Sequence, residues 1–529
     1  MSGVEVRGFN ISNIDMKYAK KGGIIMNLAK EFIQIANSYG NRPAISFKDQ
    51  DISYVELANQ IKATINILKE NVKFGDIICC FSENRPEIIS LYLATTALGA
   101  IFVPINHQLT ADEVADILKR TNPVQCFTSE NSEDLFKEAL KITAFEKEYK
   151  LIGNPVAVNK NDSYGVAELQ EFDQDTDALI IFTSGSTGVP KGVVATHLNE
   201  LESTKQYKEV WHINENDKVL ITLPMSFLYG LTTGTLTCLF AGAHVVLEEK
   251  FHPVKVLNKM VQEKITLFMG VPTMYNMMLN ASEKMDITRL DSIRLMLTAG
   301  APIAESTVKH FKQKLNIQIM NFFALTEVRP VIAYNTKTDT FKEGSCGRVA
   351  PGVQIKIQDN DGNEVVSPQT EGELLIKSNT LFKCYYNDPD QTKSVIKDGW
   401  FYTGDLVKYD EEGYFYIVGR KKELIIRGGI NISPSEIEEC ISKHPSIYEV
   451  AVIGIPDDVF GEKVAAVISL KEEHTLSPDE IQMFVKERMA EFKVPEHIVI
   501  VSELPKSGVG KINKKELKKL LNNECRVIF

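Results

Sequence analysis

Up to about residue 340 the chain alternates between short apolar runs and stretches whose apolar positions recur every three or four places. The first kind predicts buried strands and the second amphipathic helices. A strand over 77–81 precedes a helix over 86–98, and a strand over 100–104 precedes a helix over 110–120. Further strands are predicted at 178–182, 218–222, 244–247, 266–270 and 294–298, with helical patterns between most of them. Strands apolar throughout belong in a sheet covered on both faces, and strand–helix–strand repeats imply a right-handed parallel sheet. Beyond about residue 340, Gly and Asp turns separate shorter strands (353–358, 372–377, 414–418), the texture of a β-rich subdomain. From Gly419 a separate α+β unit is predicted, with strands at 450–455 and 464–470 and a helix at 477–490. The fold class is therefore α/β. A large N-terminal domain of layered α/β subdomains plus the β-rich subdomain spans 1–418, and a small α+β C-terminal domain spans 419–529.

Composition narrows the function classes. Of 529 residues, 44% are hydrophobic and 24% charged, which supplies core material for several domains. The 59 Lys and Arg against 70 Asp and Glu leave a formal net charge of −11. That balance argues against broad nucleic-acid binding, yet it allows one anionic ligand in a local basic cluster. The eight cysteines have neither framework nor metal-ligand spacing, and Cys79 and Cys80 fall in a predicted strand, so reduced core thiols are expected. Residues 1–21 carry charges of both signs and no apolar leader core, and a cytoplasmic location is expected. From Val219 to Leu247 there is no Asp, Glu, Lys or Arg, a stretch long enough to span a bilayer. Pro224, Gly230, Gly234 and Gly242 interrupt it, so a buried strand–loop–helix–strand is expected rather than a transmembrane segment.

The most informative segment is Phe182-Thr-Ser-Gly-Ser-Thr-Gly-Val-Pro-Lys-Gly192, directly after a predicted buried strand. Gly185, Gly188 and Gly192 let the backbone approach an anion closely. Thr183, Ser184, Ser186 and Thr187 add hydroxyl donors, and Lys191 adds a mobile positive charge. Gly192 follows Lys191 where a Walker A loop needs Ser or Thr, so this is a phosphate cradle of another kind. A flexible Ser/Gly linker is the competing reading, which packing between an apolar strand and the Val193-Val194-Ala195 run disfavours.

This loop resembles the signature of the adenylate-forming, AMP-binding superfamily, which includes acyl- and aryl-CoA synthetases, non-ribosomal peptide synthetase adenylation domains and firefly luciferase. The resemblance extends along nearly the whole chain. Tyr54-Val-Glu-Leu57 and Gly99-Ala-Ile-Phe-Val-Pro104 are similar to the amino-terminal subdomain, and Thr298-Ala-Gly-Ala-Pro-Ile303 to the turn that packs on adenine. Phe323-Ala-Leu-Thr-Glu327, Tyr402-Thr-Gly-Asp-Leu406, Gly419-Arg-Lys-Lys-Glu-Leu-Ile-Ile-Arg-Gly-Gly429 and Leu504-Pro-Lys-Ser-Gly-Val-Gly-Lys511 follow in the family's order. The resemblance implies an ATP-dependent acid ligase that makes an acyl-AMP and passes the acyl group to a thiol, most simply that of coenzyme A. The implied catalytic groups are Lys511, Glu327, Thr326 and Lys191. ATP or AMP would be held by Thr183, Ser184, Gly185, Ser186, Thr187, Gly188, Gly300, Ala301, Pro302, Phe323, Thr326, Asp405, Arg420 and Lys511. Asp405 has two oxygens for the ribose diol, and Glu327 is a hard oxygen ligand for Mg²⁺ carried by the triphosphate. Lys511, on a mobile C-terminal domain, would reach the carboxylate and α-phosphate where charge develops. Lys422 would be the hinge between half-reactions, and Gly428 and Gly429 would flank a pantetheine arm. Lys514, Lys515, Lys518 and Lys519 read instead as a solvated helix face.

Family pocket positions map onto 224–230, 269–273, 299–301, 322–324 and 330–332, with Phe227, Leu228, Tyr229, Met269, Ala299, Gly300, Ala324 and Val331 as the expected acid contacts. These are nearly all apolar, which implies an apolar acid. Leu228 stands where amino-acid-activating relatives have an Asp for the α-ammonium, so amino-acid activation is not expected. The sequence departs from the family pattern at Phe227, where many relatives have His, and at Ala324, where Gly is usual. It also departs at Arg329, expected on the surface or a lid, with contact to a polar group of the substrate as the alternative. Thr326-Glu-Val-Arg-Pro-Val331 is similar to plant coumarate–CoA ligases, which points to an aryl acid; a medium-chain fatty acid stays open. The alternative thiol is that of a separate carrier protein. A luciferase-like oxygenase lacks specific support, and a non-catalytic scaffold is disfavoured by intact Lys191, Glu327, Asp405, Arg420 and Lys511.

Overall fold

In a computed structural model, residues 25–143, 148–152, 169–183, 190–285, 290–428, 430–457, 459–506 and 512–524 are described. The apolar runs form strands close to their predicted bounds, but they sort into two sheets of seven strands rather than one. In the first, Ile77–Ser82, Ile101–Asn106, Gln125–Thr128, Tyr149–Leu151 and Asp177–Thr183 run parallel. Lys191–Thr196 and Cys384–Tyr385 add antiparallel to its edge. In the second, Pro43–Phe47, Lys218–Ile221, His244–Leu247, Leu267–Gly270, Leu295–Thr298 and Ile319–Asn321 are parallel, and Gln50–Ser53 closes it as a hairpin.

Because side chains alternate along a strand, each sheet feeds two cores. Ile78, Cys80 and Phe102 from the first sheet meet Val219, Val245, Leu267 and Leu295 from the second in one central core. The helix Glu87–Ala97 lies in that core and is buried on every side, with apolar residues all round it and the small hydroxyl residues Ser90, Thr95 and Thr96 as its buried polar members. The opposite faces are covered separately. Ile77, Cys79 and Phe81 pack under Ala111–Thr121 and Glu133–Thr143, and Leu220, Val246, Phe268 and Met296 under Pro253–Gln262, Pro272–Glu283 and Glu305–Leu315. Cys79 and Cys80 are free, buried thiols that face different cores, and burial pushes the pKa of both up.

The charge-free stretch is a strand, Lys218–Ile221, then a buried π-helix, Tyr229–Leu236, running into Thr237–Phe240, then the strand His244–Leu247. Among the described residues no helix is long and apolar enough to cross a membrane.

A third, antiparallel sheet joins Val353–Gln358, Gly372–Ser378, Trp400–Tyr409, Ile396–Lys397 and Phe415–Arg420. The last sheet contains Ile425–Arg427, Ile430–Ile432, Ile447–Asp457, Gly461–Leu470 and His497–Val501. Its helix Pro478–Lys486 stops short of the predicted end at 490. In Lys514–Glu524 it is Leu517 and Leu521 that are buried, while Lys518 and Lys519 are exposed.

Candidate active site

Four segments follow the carboxyl ends of adjacent parallel strands in the second sheet: 222–224, 271–273, 299–301 and 322–325. Ligands of open α/β sheets bind at that end, since the chain there leaves the sheet in loops that diverge around a crevice. A cavity of about 3930 Å³ opens there and continues between the third and fourth sheets. Phe227, Leu228, Tyr229, Ala299, Gly300, Ala301, Pro302, Phe323, Ala324, Thr326 and Glu327 line it, as do Thr183, Lys191, Asp405, Arg420 and Lys422.

Asp405 is placed by a kink in its strand. The register between Gly372–Ser378 and Trp400–Tyr409 slips at Glu373 to Leu375, so Thr403, Gly404 and Asp405 bulge from the ladder. Gly404 has φ +72, and a Cβ there would meet nothing within 4 Å, so it is the left-handed backbone and not space that favours glycine. The Thr403 hydroxyl donates to the Leu374 carbonyl at 2.8 Å and accepts from the Asp405 amide at 3.0 Å, which fixes the bulge. Arg420, the register partner of Asp405 on the next strand, donates from Nε to Oδ1 at 2.8 Å. Asp405 is 3% exposed and its Oδ2 has no partner among the described residues. Burial raises its pKa despite the opposing pull of Arg420.

Lys191 and Thr183 are register partners on antiparallel strands. The Lys191 ammonium lies 5.0 Å from the centre of the Tyr385 ring, whose hydroxyl donates to Glu327 Oε1 at 2.8 Å. Burial and the Glu327 charge hold Tyr385 protonated well above the usual phenol range. A cation, a phenol and a carboxylate thus form one line along the cavity wall. Ser184, Gly185, Ser186, Thr187, Gly188, Gly429 and Lys511 lie outside the described residues, although Lys506, Ile512, Asn513 and Lys514 line the cavity.

Two expected acid contacts lie elsewhere. Met269 and Val331 are wholly buried and do not line the cavity, because Met269 faces the central core and Val331 the core beneath the third sheet. Gly428 has φ +57 at a turn beside Phe460, off the cavity wall. Arg329 is neither at the surface nor on a lid. It is 1% exposed and ion-paired through Nη2 with Glu200 Oε1, itself 0% exposed. Arg329 Nη1 also donates to the Thr326 carbonyl at 2.9 Å, and Glu200 Oε2 accepts from the hydroxyls of Tyr92 at 2.9 Å and Thr232 at 2.7 Å. The pair therefore ties helix His197–Trp211 to the turn that carries Thr326 and Glu327.

Sequence reasoning missed Tyr385, Glu200 and Tyr207. Tyr385 carries no spacing signal, and a Glu in a helix of polar composition reads as solvated.

An AMP-binding enzyme family model matches residues 32–386, and its C-terminal domain model matches 436–511. Indoleacetate–CoA ligase of Aromatoleum aromaticum is 32% identical over 504 residues, covering 94% of this chain and 98% of its own. ATP-bound MatB from Rhodopseudomonas palustris superposes with a TM-score of 0.84 at 28% identity, covering 94% of this chain and 99% of its own. The anthranilate CoA ligase AuaEII in complex with anthranoyl-AMP gives 0.85 at 25% identity, over 94% and 97%. The fold is that of adenylate-forming enzymes. This chain belongs to the AMP-binding enzyme family and is an AMP-forming acyl-CoA synthetase.

Proposed function

We propose that the chain activates an apolar carboxylic acid, an aryl acid or a medium-chain fatty acid, as its acyl-AMP and transfers the acyl group to the thiol of coenzyme A. The observation that carries this is Asp405, buried on a bulge that opens to the cavity, with one oxygen held by Arg420 and the other without a partner among the described residues. A carboxylate so placed suits a vicinal diol. Phe227, Leu228 and Tyr229 give the acid an apolar wall, and the indoleacetate and anthranilate ligases among the relatives favour the aryl class.

In the first half-reaction a carboxylate oxygen of the acid bonds to the α-phosphorus of ATP and the bond to pyrophosphate breaks. Bringing these anions together is mainly positioning and charge neutralisation. Lys191 neutralises phosphate, Thr326 donates to it, and Asp405 with Arg420 grips the ribose. Lys511 meets the charge that develops between carboxylate and α-phosphate. Glu327 fits Mg²⁺, since a cation carried on a triphosphate needs one or two protein carboxylates, and Tyr385 orients its Oε1. The ion would supply further neutralisation of phosphate charge. In the second half-reaction the thiol sulfur bonds to the acyl carbon and AMP leaves. The C-terminal domain, from Gly419, would turn about Lys422 between the two steps, so that Gly428 and Gly429 flank the pantetheine arm. The third sheet ends at Arg420 and the fourth begins at Ile425, which leaves Lys421 to Leu424 as the connecting segment.

A carboxylate panel assayed for pyrophosphate release, then for thioester after CoA is added, tests the reading. Transfer only to a carrier protein would replace CoA as the acceptor. Lys511→Ala is expected to slow adenylation by ~10²–10³-fold while sparing thioester formation from supplied acyl-AMP. Equal loss of both half-reactions would overturn the role given to Lys511.

A further inference from the structure

Part of the cavity wall beside the apolar acid pocket is polar. Tyr207, Thr233 and Arg329 line the cavity beside Phe227, Tyr229 and Gly230, yet each is almost wholly buried. The Tyr207 ring is fixed by stacking on Trp211 at 4.5 Å and by an edge contact to Phe322 at 6.0 Å. Among the described residues its hydroxyl closes no hydrogen bond of ordinary geometry, and the Thr233 hydroxyl beside it is placed to donate to it, which leaves the Tyr207 O–H free to donate. The Arg329 guanidinium spends its two terminal nitrogens on Glu200 and the Thr326 carbonyl, and its Nε–H has no partner among the described residues. Buried donors left unpaired cost ~1–3 kcal/mol each, so two at one place need an explanation.

We propose that this part of the wall is a hydrogen-bonding floor, formed by the Tyr207 hydroxyl and the Arg329 Nε–H, which selects acids bearing a neutral oxygen acceptor at the end remote from the carboxyl group. The proposal rests on the ligase reading above and narrows its substrate class. Both groups donate, so the matching substrate atom accepts: a ketone, ether or hydroxyl oxygen on an otherwise apolar body. A second carboxylate does not fit, because Glu200 already balances the Arg329 charge and a further anion would be buried without a counter-ion. A plain hydrocarbon tail would fill the space and leave both donors unpaired.

The test compares near-isosteric acids that differ in that one group: 4-acetylphenylacetic against 4-isopropylphenylacetic acid, and 7-oxooctanoic against octanoic acid. Pyrophosphate release at saturating ATP gives kcat/KM for each. The oxo acid of at least one pair is expected to be favoured by ~10-fold or more, since a site built for a hydrogen bond rejects the analogue that lacks it. Tyr207→Phe keeps the ring and its packing. It is expected to collapse that ratio through a loss on the oxo acid and a gain on the hydrocarbon acid, and to raise the urea midpoint of the free protein by removing an unpaired hydroxyl. Equal use of both acids of each pair, or a ratio that Tyr207→Phe leaves unchanged, overturns the floor and leaves the ligase reading standing. Release of no pyrophosphate with any carboxylate overturns the ligase reading, and the floor with it.

Discussion

Glu200→Gln keeps the shape of the side chain and removes the only anion facing Arg329 in its pair. The guanidinium, 1% exposed, would be left with neutral oxygens. Breaking a buried ion pair from one side typically costs ~3–5 kcal/mol, because the remaining charge is neither solvated nor balanced. Tyr92→Phe removes one hydroxyl that donates to the same carboxylate at 2.9 Å and should cost less, ~1.5–3 kcal/mol. In urea, with a slope of ~3 kcal/mol per M, Glu200→Gln then lowers the midpoint of the N-terminal transition by ~1–1.7 M. Replacing both partners, Glu200→Leu with Arg329→Met, should recover most of that loss, so a double-mutant cycle gives a coupling energy of ~2 kcal/mol or more. Adenylation should not recover in parallel, since Arg329 Nη1 also anchors the Thr326 carbonyl. A Glu200→Gln protein within ~0.5 kcal/mol of wild type, or strictly additive single effects, would refute the reasoning.

Asp405→Asn removes the negative charge and leaves Arg420 only a neutral amide oxygen in place of its 2.8 Å carboxylate partner, so KM for ATP should rise ~10–100-fold in a pyrophosphate assay, the equivalent of one charge-assisted hydrogen bond. Glu305 is pushed up to about 6 by burial, then by its hydrogen bond to Glu343 and the charges of Glu439 and Glu343. Glu439 belongs to the helix Pro434–Ser442, and the Ser306 hydroxyl donates to the Ser442 carbonyl at 3.4 Å, so this cluster lies where the last sheet's unit meets the rest. A folded value above the ordinary 4.5 means the neutral form is preferred on folding: the stabilisation is complete below 4.5 and lost as pH rises through about 6. Glu305→Gln should therefore narrow the difference between unfolding midpoints measured at about pH 5 and about pH 7.5.

The strands were legible from local pattern, and the cavity-lining loops from the order of motifs that resemble the family's. A run such as Ile77 to Ser82 is apolar on both faces and lies between two cores. The division into two sheets was not legible, since strand order depends on crossovers. Pro43–Phe47 inserts beside His244–Leu247, and nothing near either strand announces the pairing. Thr-Gly-Asp alone reads as a turn, and Asp405 was placed by the series of motifs that resemble the family's; the glycine that permits the bulge sits next to the carboxylate it aims. Met269 lies in a segment whose Val271, Pro272 and Thr273 line the cavity, whereas none of residues 330–332, Val331 included, lines it. Which side chain of a loop faces the cavity is decided by packing behind it, and these two face away.

Arg329 was misplaced for a related reason, and helix His197–Trp211 shows it most clearly. Glu200, Ser203 and Tyr207 recur at three and four residues, so they share one face of that helix. Read alone, a charged and hydroxylic stripe is a solvated face. Here all three are buried: Glu200 takes the Arg329 guanidinium, Ser203 donates to the Arg329 carbonyl at 3.1 Å, and Tyr207 lines the cavity beside the acid pocket. The stripe makes sense only with its complement, a lone arginine 129 residues away in the turn after Thr326 and Glu327. Either half alone would be a buried unpaired charge costing several kcal/mol, so neither Glu200 nor Arg329 is interpretable without the other. Because the pair holds the turn that carries Glu327, and its Arg329 also lines the cavity, changes to the acid pocket there are coupled to the placement of the phosphate-side groups. Pocket variants at Tyr207 or Thr233, which leave the pair intact, should alter acid preference alone, whereas variants of the pair should alter acid preference and ATP-dependent rate together.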